Sequence, residues 1–193
     1  MRRLIAAIAM CGLTVAVGLV AVCAGEEVWW SASHRAEKLS IEGVSNFGRV
    51  NPRLYRGAQP THAGFVALKA LGVETVVRLS MGEEGAEAEA GEVQALGMQF
   101  VNLPWSAVHE PSRDQVATFL ALLHDDPQRR VFVHCKAGSD RTGLMVALAR
   151  IALDHWTADA ALSEMKAFHY RYLFLPHLQR YVEAFAVAQT PGY

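Results

Sequence analysis

Three cysteines in 193 residues are too few for a disulfide framework, and no CxxC pair is present to suggest a structural zinc site. The charge is nearly balanced, with 18 basic against 19 acidic side chains. No basic excess is available for a general nucleic-acid surface, so a nucleic-acid partner is excluded. His62, His109, His124, His155, His169 and His177 fall at no metal-ligand spacing, so no metal and no cofactor are expected. There is no repeat at 20–50 residues and no long low-complexity tract. Apolar residues reach 52% and charged ones 19%, too apolar for disorder, and the length suits one ordinary domain.

What the chain does have is unevenly placed hydrophobicity. Leu4 to Ala24 carries no charge; as a helix it would span about 31 Å, the thickness of a bilayer core. Arg2 and Arg3 precede it, Glu26 and Glu27 follow it, and Trp29 and Trp30 sit where an interfacial pair would anchor the helix end. This predicts an N-terminal hydrophobic helix over 1–25, a membrane anchor with the N-terminus inside and the rest extracytoplasmic, periplasmic or extracellular. The competing reading is a cleaved signal peptide ending near Val22-Cys23-Ala24, which would leave the remainder secreted. Cys23 follows a poor lipobox, since Val22 stands where Gly or Ala is usual. Residues 26–44 read as a linker and 45–188 as a catalytic domain. From residue 26 onward Cys135 is the single cysteine, so no disulfide staple explains it.

Strand and helix signals alternate through this domain. Arg53–Gly57, Val73–Leu79, Met98–Leu103 and Arg130–His134 read as strands. Thr61 caps a helix burying Phe65, Leu68 and Leu71, and a helix from about Ala86 follows a loop over Met81–Gly85. Ser112 with Gln115 has capping-box spacing. Helices are also expected over Thr142–His155, from Thr157 to Phe168, and from Pro176 to Ala188. The implied fold is α/β, with a mainly parallel central sheet flanked by helices and a helical cluster at the end.

The informative stretch is Val131–Gly143, VFVHCKAGSDRTG. An apolar strand leads into a cysteine, a loop containing Gly138, an arginine six positions on, and a helix. Loop amides and a helix N-terminus can together cradle an anion. A cysteine at the mouth of such a cradle becomes thiolate near neutral pH. Arg141 offers a planar fork matching phosphate oxygens. A nucleophile, a phosphate grip and charge stabilisation thus fall within one short segment. A merely buried cysteine at a strand end would not need His134 before it, or Gly138, Thr142 and Gly143 around the arginine.

HCKAGSDRTG resembles the HCxxGxxRT signature of the cysteine-dependent protein tyrosine and dual-specificity phosphatases. NFGRVNPRLYRGAQP, the spacing from VVRLS to FVNLPWSA, and RTGLMVALARIALDHW resemble the compact atypical dual-specificity phosphatases of bacteria, plants and fungi, over roughly residues 45–185. The resemblance implies that Cys135 forms a phosphocysteine and Arg141 binds phosphoryl oxygens. It further implies that the amides of Lys136, Ala137, Gly138, Ser139, Asp140 and Arg141 form the cradle and that Thr142 hydrogen-bonds the sulfur. His134 is implied to order the loop and help set the thiol pKa. It also implies an aspartate acid on an upstream loop, and Trp105–Pro111 contains none. Glu110, on that loop, and Asp114, at the second position of the following helix, are the candidate acids. A water, or no dedicated acid, is the third option. Lys136 resembles a loop lysine of phosphoinositide-directed relatives, its charge tempered by Asp140, and reads equally as a solvated lysine.

Other residues read as structural. Arg56 and Gln59 brace the fold, Glu83, Glu84, Glu87 and Glu89 form a solvated acidic run, Arg150 packs a helix, and His109 lies on the candidate acid loop. The function predicted is hydrolysis of a phosphomonoester, on a protein or a small molecule. A weak phospho-ligand binding module and a rhodanese-like sulfur transferase are the alternatives.

Overall fold

The computed structural model describes residues 34–189. Six strands, β1 (Glu37–Lys38), β2 (Gly48–Arg49), β3 (Leu54–Ala58), β4 (Thr75–Arg78), β5 (Gln99–Asn102) and β6 (Val131–Cys135), form one sheet in the order β1-β2-β3-β6-β4-β5. The helices are α1 (His62–Ala70), α2 (Glu83–Ala95), α3 (Arg113–His124), α4 (Asp140–Asp154), α5 (Ala158–Ala167) and α6 (Pro176–Gln189). The pairs β3–β6, β6–β4 and β4–β5 are parallel; β1–β2 and β2–β3 are antiparallel. The fold is therefore α/β with a mixed sheet, the parallel part being its centre.

The central strands are buried on both faces, as parallel strands covered by helices must be. On one face Phe65 and Leu68 of α1 and Val93 of α2 pack with Phe132 and Val76; on the other, Phe119 of α3, Leu144 and Leu148 of α4, Leu162 of α5 and Leu178 of α6 pack with Val131 and Val133. A fully buried side chain such as Phe119 contributes roughly 2–3 kcal/mol. Helix starts follow their caps. Ser112 Oγ accepts from Gln115 N at 3.2 Å while Gln115 Oε1 accepts from Ser112 N at 2.8 Å, and Thr61 and Thr157 cap α1 and α5.

Several elements differ from expectation. The segment read as a linker over 26–44 is structured from Glu37 onward: β1 pairs with β2, Ala36 N donates to Glu164 Oε2 at 2.6 Å, and Val44 is buried. Two-residue strands are too short for any alternation to show. Helix α2 starts at Glu83 rather than Ala86, after Gly82 at φ 104°. Leu71 is 38% exposed and caps α1 instead of filling the core. The apolar run over 4–24, and with it the N-terminal helix, lies outside the described residues. Among the described residues no helix is long and apolar enough to cross a membrane.

The register gathers the strand ends. Ala58 pairs with Cys135, and Gly57 and Arg78 flank His134. The C-terminal edge of three parallel strands thus faces the loop that leaves β6, the usual place for a site in such sheets.

Candidate active site

Cys135 closes β6, and the chain turns at once into α4. Strand alternation sends Val131, Val133 and Cys135 to the face under α4, and Phe132 to the other. The turn needs a left-handed residue, and Gly138 supplies it at φ 68°. A Cβ there would lie 2.4 Å from the Gly57 carbonyl carbon, so the loop rests directly on the backbone of β3.

The loop carbonyls are held from outside. Asn46 Nδ2 donates to Gly138 O at 3.1 Å, Ala137 O at 3.3 Å and Phe168 O at 3.3 Å. Arg56 Nη2 donates to Gly138 O at 3.0 Å, and Gln59 N donates to Lys136 O at 3.4 Å. Ser139 O takes the first helical bond of α4, from Gly143 N at 2.8 Å. In a trans peptide the N–H points opposite to the C=O. Anchoring these carbonyls outward therefore turns the amides of Ala137, Gly138, Ser139 and Asp140 to the inside, at the N-terminus of α4. That is an anion cradle.

The Cys135 thiol is 3% exposed. Burial pushes its pKa up, but the Thr142 hydroxyl and amide, the Arg141 charge and the Ala137 amide together bring it below that of an ordinary thiol. Thr142 Oγ1 is buried and forms no aligned hydrogen bond, while its hydroxyl is the first of the groups that bring the Cys135 thiol down. Arg141 Nη1 donates to Leu79 O at 3.2 Å and Trp105 O at 3.1 Å. The guanidinium is thus aimed by the exits of β4 and β5, with Nε and Nη2 left for a bidentate grip.

The structure places Cys135, the loop 136–141 and Thr142 together where β6 gives way to α4. Lys136 and Ala137 are exposed on the loop. The ring of His134, the residue implied to order the loop and help set the thiol pKa, is not on the thiol's side of the strand. Alternation puts it on the opposite face, stacked on Phe132 with centroids 5.5 Å apart and with Nε2 2.7 Å from Glu89 Oε1. Asp140 does not temper Lys136. Its carboxylate is buried and bound to Arg171, whose amide and guanidinium both donate to it. Glu89, read as solvated, is 5% exposed.

Neither acid candidate is buried. Glu110 is exposed at the end of its loop; burial and then Glu110's charge push the Tyr181 phenol up, which sets the carboxylate near α6. Asp114 lies exposed in the first turn of α3, where it complements the helix dipole. The loop carrying Glu110 is tied to α6 by a 3.1 Å contact between His177 Nε2 and Ala107 O.

Sequence reading gave no role to Asn46 or Arg171, and only a bracing role to Arg56. Arg56 is fully buried, lies 4.0 Å over the Phe168 ring, and is held at about 10 chiefly by burial, with Glu164 and Cys135 opposing. Asn46 stands at φ 50°, a conformation Asn tolerates, and that is the one local hint it offers.

Comparison with known proteins agrees with this geometry. A family model described as DSP-PTPase phosphatase fused to NAD+ kinase matches residues 35–171. The dual specificity protein phosphatase TpbA of Pseudomonas aeruginosa is 32% identical over 127 residues, 66% of this chain and 56% of that protein. The chain thus spans just over half the length of this relative. The inositol diphosphatase DSP4 of Arabidopsis thaliana is 25% identical over 134 residues, covering 64% of this chain and 63% of that protein. A crystal structure of P. aeruginosa TpbA in complex with pTyr superimposes with a TM-score of 0.62 at 25% identity, covering 82% of this chain and 97% of that one.

Proposed function

Since the chain belongs to the PTP-NADK family of DSP-PTPase phosphatases, we propose that it hydrolyses phosphate monoesters through a phosphocysteine intermediate. The observation that carries this reading is the buried Cys135 thiol held low by Thr142 and Arg141 at the floor of an amide-lined loop. The thiolate attacks phosphorus, an S–P bond forms, and the ester oxygen leaves as the alcohol after taking a proton. Loop amides and Arg141 carry the charge on the equatorial oxygens. Water then attacks the phosphocysteine, releasing inorganic phosphate, and Thr142 Oγ1 donates to the departing sulfur. Glu110, on a loop rather than locked in a helix, is the acid this mechanism assigns.

Wild-type protein should hydrolyse p-nitrophenyl phosphate without added metal. Cys135→Ser should abolish turnover yet keep inorganic phosphate binding, and Arg141→Ala should lose both. Normal turnover by Cys135→Ser would overturn the mechanism. Phosphate binding without turnover by wild type would favour the binding-module alternative, and thiosulfate turnover the sulfur-transferase one. The substrate class is a phosphorylated protein or small molecule. Support comes from the pTyr complex of TpbA and from the inositol diphosphatase relative.

For location, the proposal is that residues 4–24 anchor the chain in a membrane with the catalytic domain outside, supported by the charge-free run and the arginines before it. A reporter fused after Tyr193 that needs an oxidising compartment should be active; activity of a cytoplasm-only reporter would reverse the topology.

A further inference from the structure

Glu89 sits on α2 in a sequence of alternating glutamates and alanines, yet its carboxylate is buried beneath the site. Oε2 accepts from Gln59 Nε2 at 2.9 Å and lies 3.1 Å from Arg78 Nε, while Oε1 lies 2.7 Å from His134 Nε2. The Arg78 approach is a close ion pair and the His134 approach a close polar contact, and neither is an aligned hydrogen bond. Gln59 follows β3, Arg78 ends β4, and His134 precedes the nucleophile on β6, so one carboxylate touches the three strand exits that surround the cradle.

Each partner passes the contact on. Gln59 N donates to the Lys136 carbonyl at 3.4 Å. His134 O accepts from Leu79 N at 2.9 Å. Arg78 Nη1 donates to Ser80 O at 2.6 Å and Nη2 to Met81 O at 3.1 Å, clamping the chain just after Leu79. The Leu79 carbonyl is one of the two that hold Arg141 Nη1. An apolar residue would fill the same volume without the desolvation that a buried carboxylate and guanidinium cost, so such groups point to a geometric role where one is on offer.

We propose that Glu89 is a positioning residue for phosphoryl transfer, fixing through Arg78 the Leu79 carbonyl that aims Arg141 and through Gln59 the first peptide of the cradle. This rests on the phosphatase reading. Glu89 touches no reacting atom; it acts through Arg141 and the loop.

The test is a double-mutant cycle on the full chain, read as kcat and KM for p-nitrophenyl phosphate and as inorganic phosphate affinity. Glu89→Gln keeps the shape and removes the charge. It should lower kcat by about 10²-fold, the cost of misplacing a catalytic group by about 1 Å. In an Arg141→Lys background, where no guanidinium is left to aim, the same change should cost about ten-fold or less, the part that remains being the Gln59 arm onto the cradle peptide, as expected for residues that act partly as a unit. Equal losses in both backgrounds, or no loss in wild type, would overturn the proposal and leave the phosphatase reading standing. If wild type binds phosphate without turnover, the phosphatase reading falls and the cycle on phosphate affinity decides the positioning role. If it neither binds nor turns over, both fall. Should Glu89→Gln not fold, Arg78→Lys carries the same cycle, since it keeps the charge and loses the fork onto Ser80 and Met81.

Discussion

Asp140 and Arg171 are joined through both carboxylate oxygens: Oδ1 accepts the Arg171 amide at 3.0 Å, and Oδ2 accepts Nε at 2.9 Å and Nη2 at 2.7 Å. The pair sits at the start of α4, where a bare carboxylate would oppose an incoming phosphate. Arg171 cancels that charge, and its own pKa is raised, first by its hydrogen bonds to Asp140.

Arg171→Ala should therefore leave a buried negative charge beside the cradle. Inorganic phosphate affinity should fall roughly five-fold, about 1 kcal/mol. Asp140→Asn in the same background should restore it. Titration calorimetry of both variants checks this, and an unchanged affinity in Arg171→Ala would show the pair to be structural only.

The thiol of Cys135 lies below its ordinary pKa because Thr142, Arg141 and Ala137 outweigh burial. The reactive thiolate fraction grows as pH rises through that lowered value. Thr142→Val removes the hydroxyl contribution, so the midpoint of alkylation by iodoacetamide should move to higher pH. Reactivity should then drop more at pH 6 than at pH 8. A midpoint unmoved by the substitution would deny the hydroxyl its part.

Asn46 bonds to the Ala137, Gly138 and Phe168 carbonyls from a positive φ. Asn46→Gly keeps the backbone relaxed and deletes these bonds; Asn46→Ala adds the left-handed penalty of about 1–2 kcal/mol. Both should weaken phosphate binding, and Asn46→Ala should also melt lower than Asn46→Gly. Equal phosphate affinity in wild type and Asn46→Gly would remove the clamp from the account.

Glu110→Gln should slow alkyl phosphates by on the order of 10²-fold while sparing p-nitrophenyl phosphate, whose leaving group needs little protonation. Equal effects on both substrates would exclude Glu110, and Asp114→Asn would be the next variant to measure.

The cradle was legible in the sequence because its parts are contiguous: Cys135 through Thr142 supply nucleophile, turn, helix N-terminus and fork within one segment. The core strands were legible for the same reason, since runs such as VFVH carry their own pattern. What stayed hidden joins distant positions. Asp140 meets Arg171 across 31 residues and Asn46 meets the loop across more than 90. Glu89 was masked by exposed glutamates on the same helix, and composition cannot tell which of several acidic side chains faces inward. His134 neighbours Cys135 in sequence, but a strand sends neighbours to opposite faces, so its partner Glu89 could not be read from adjacency.

The loop rests backbone against backbone at Gly138 and Gly57, and the side chains that hold it, Asn46 and Arg56, grip chiefly its carbonyls, with Ser139 Oγ the one loop side chain that Asn46 also reaches. Lys136 and Ala137 are left facing solvent on its outer rim. No contact that fixes the loop passes through the side chains at 136 and 137, so this rim can change by single substitutions while the backbone frame beneath it keeps its shape.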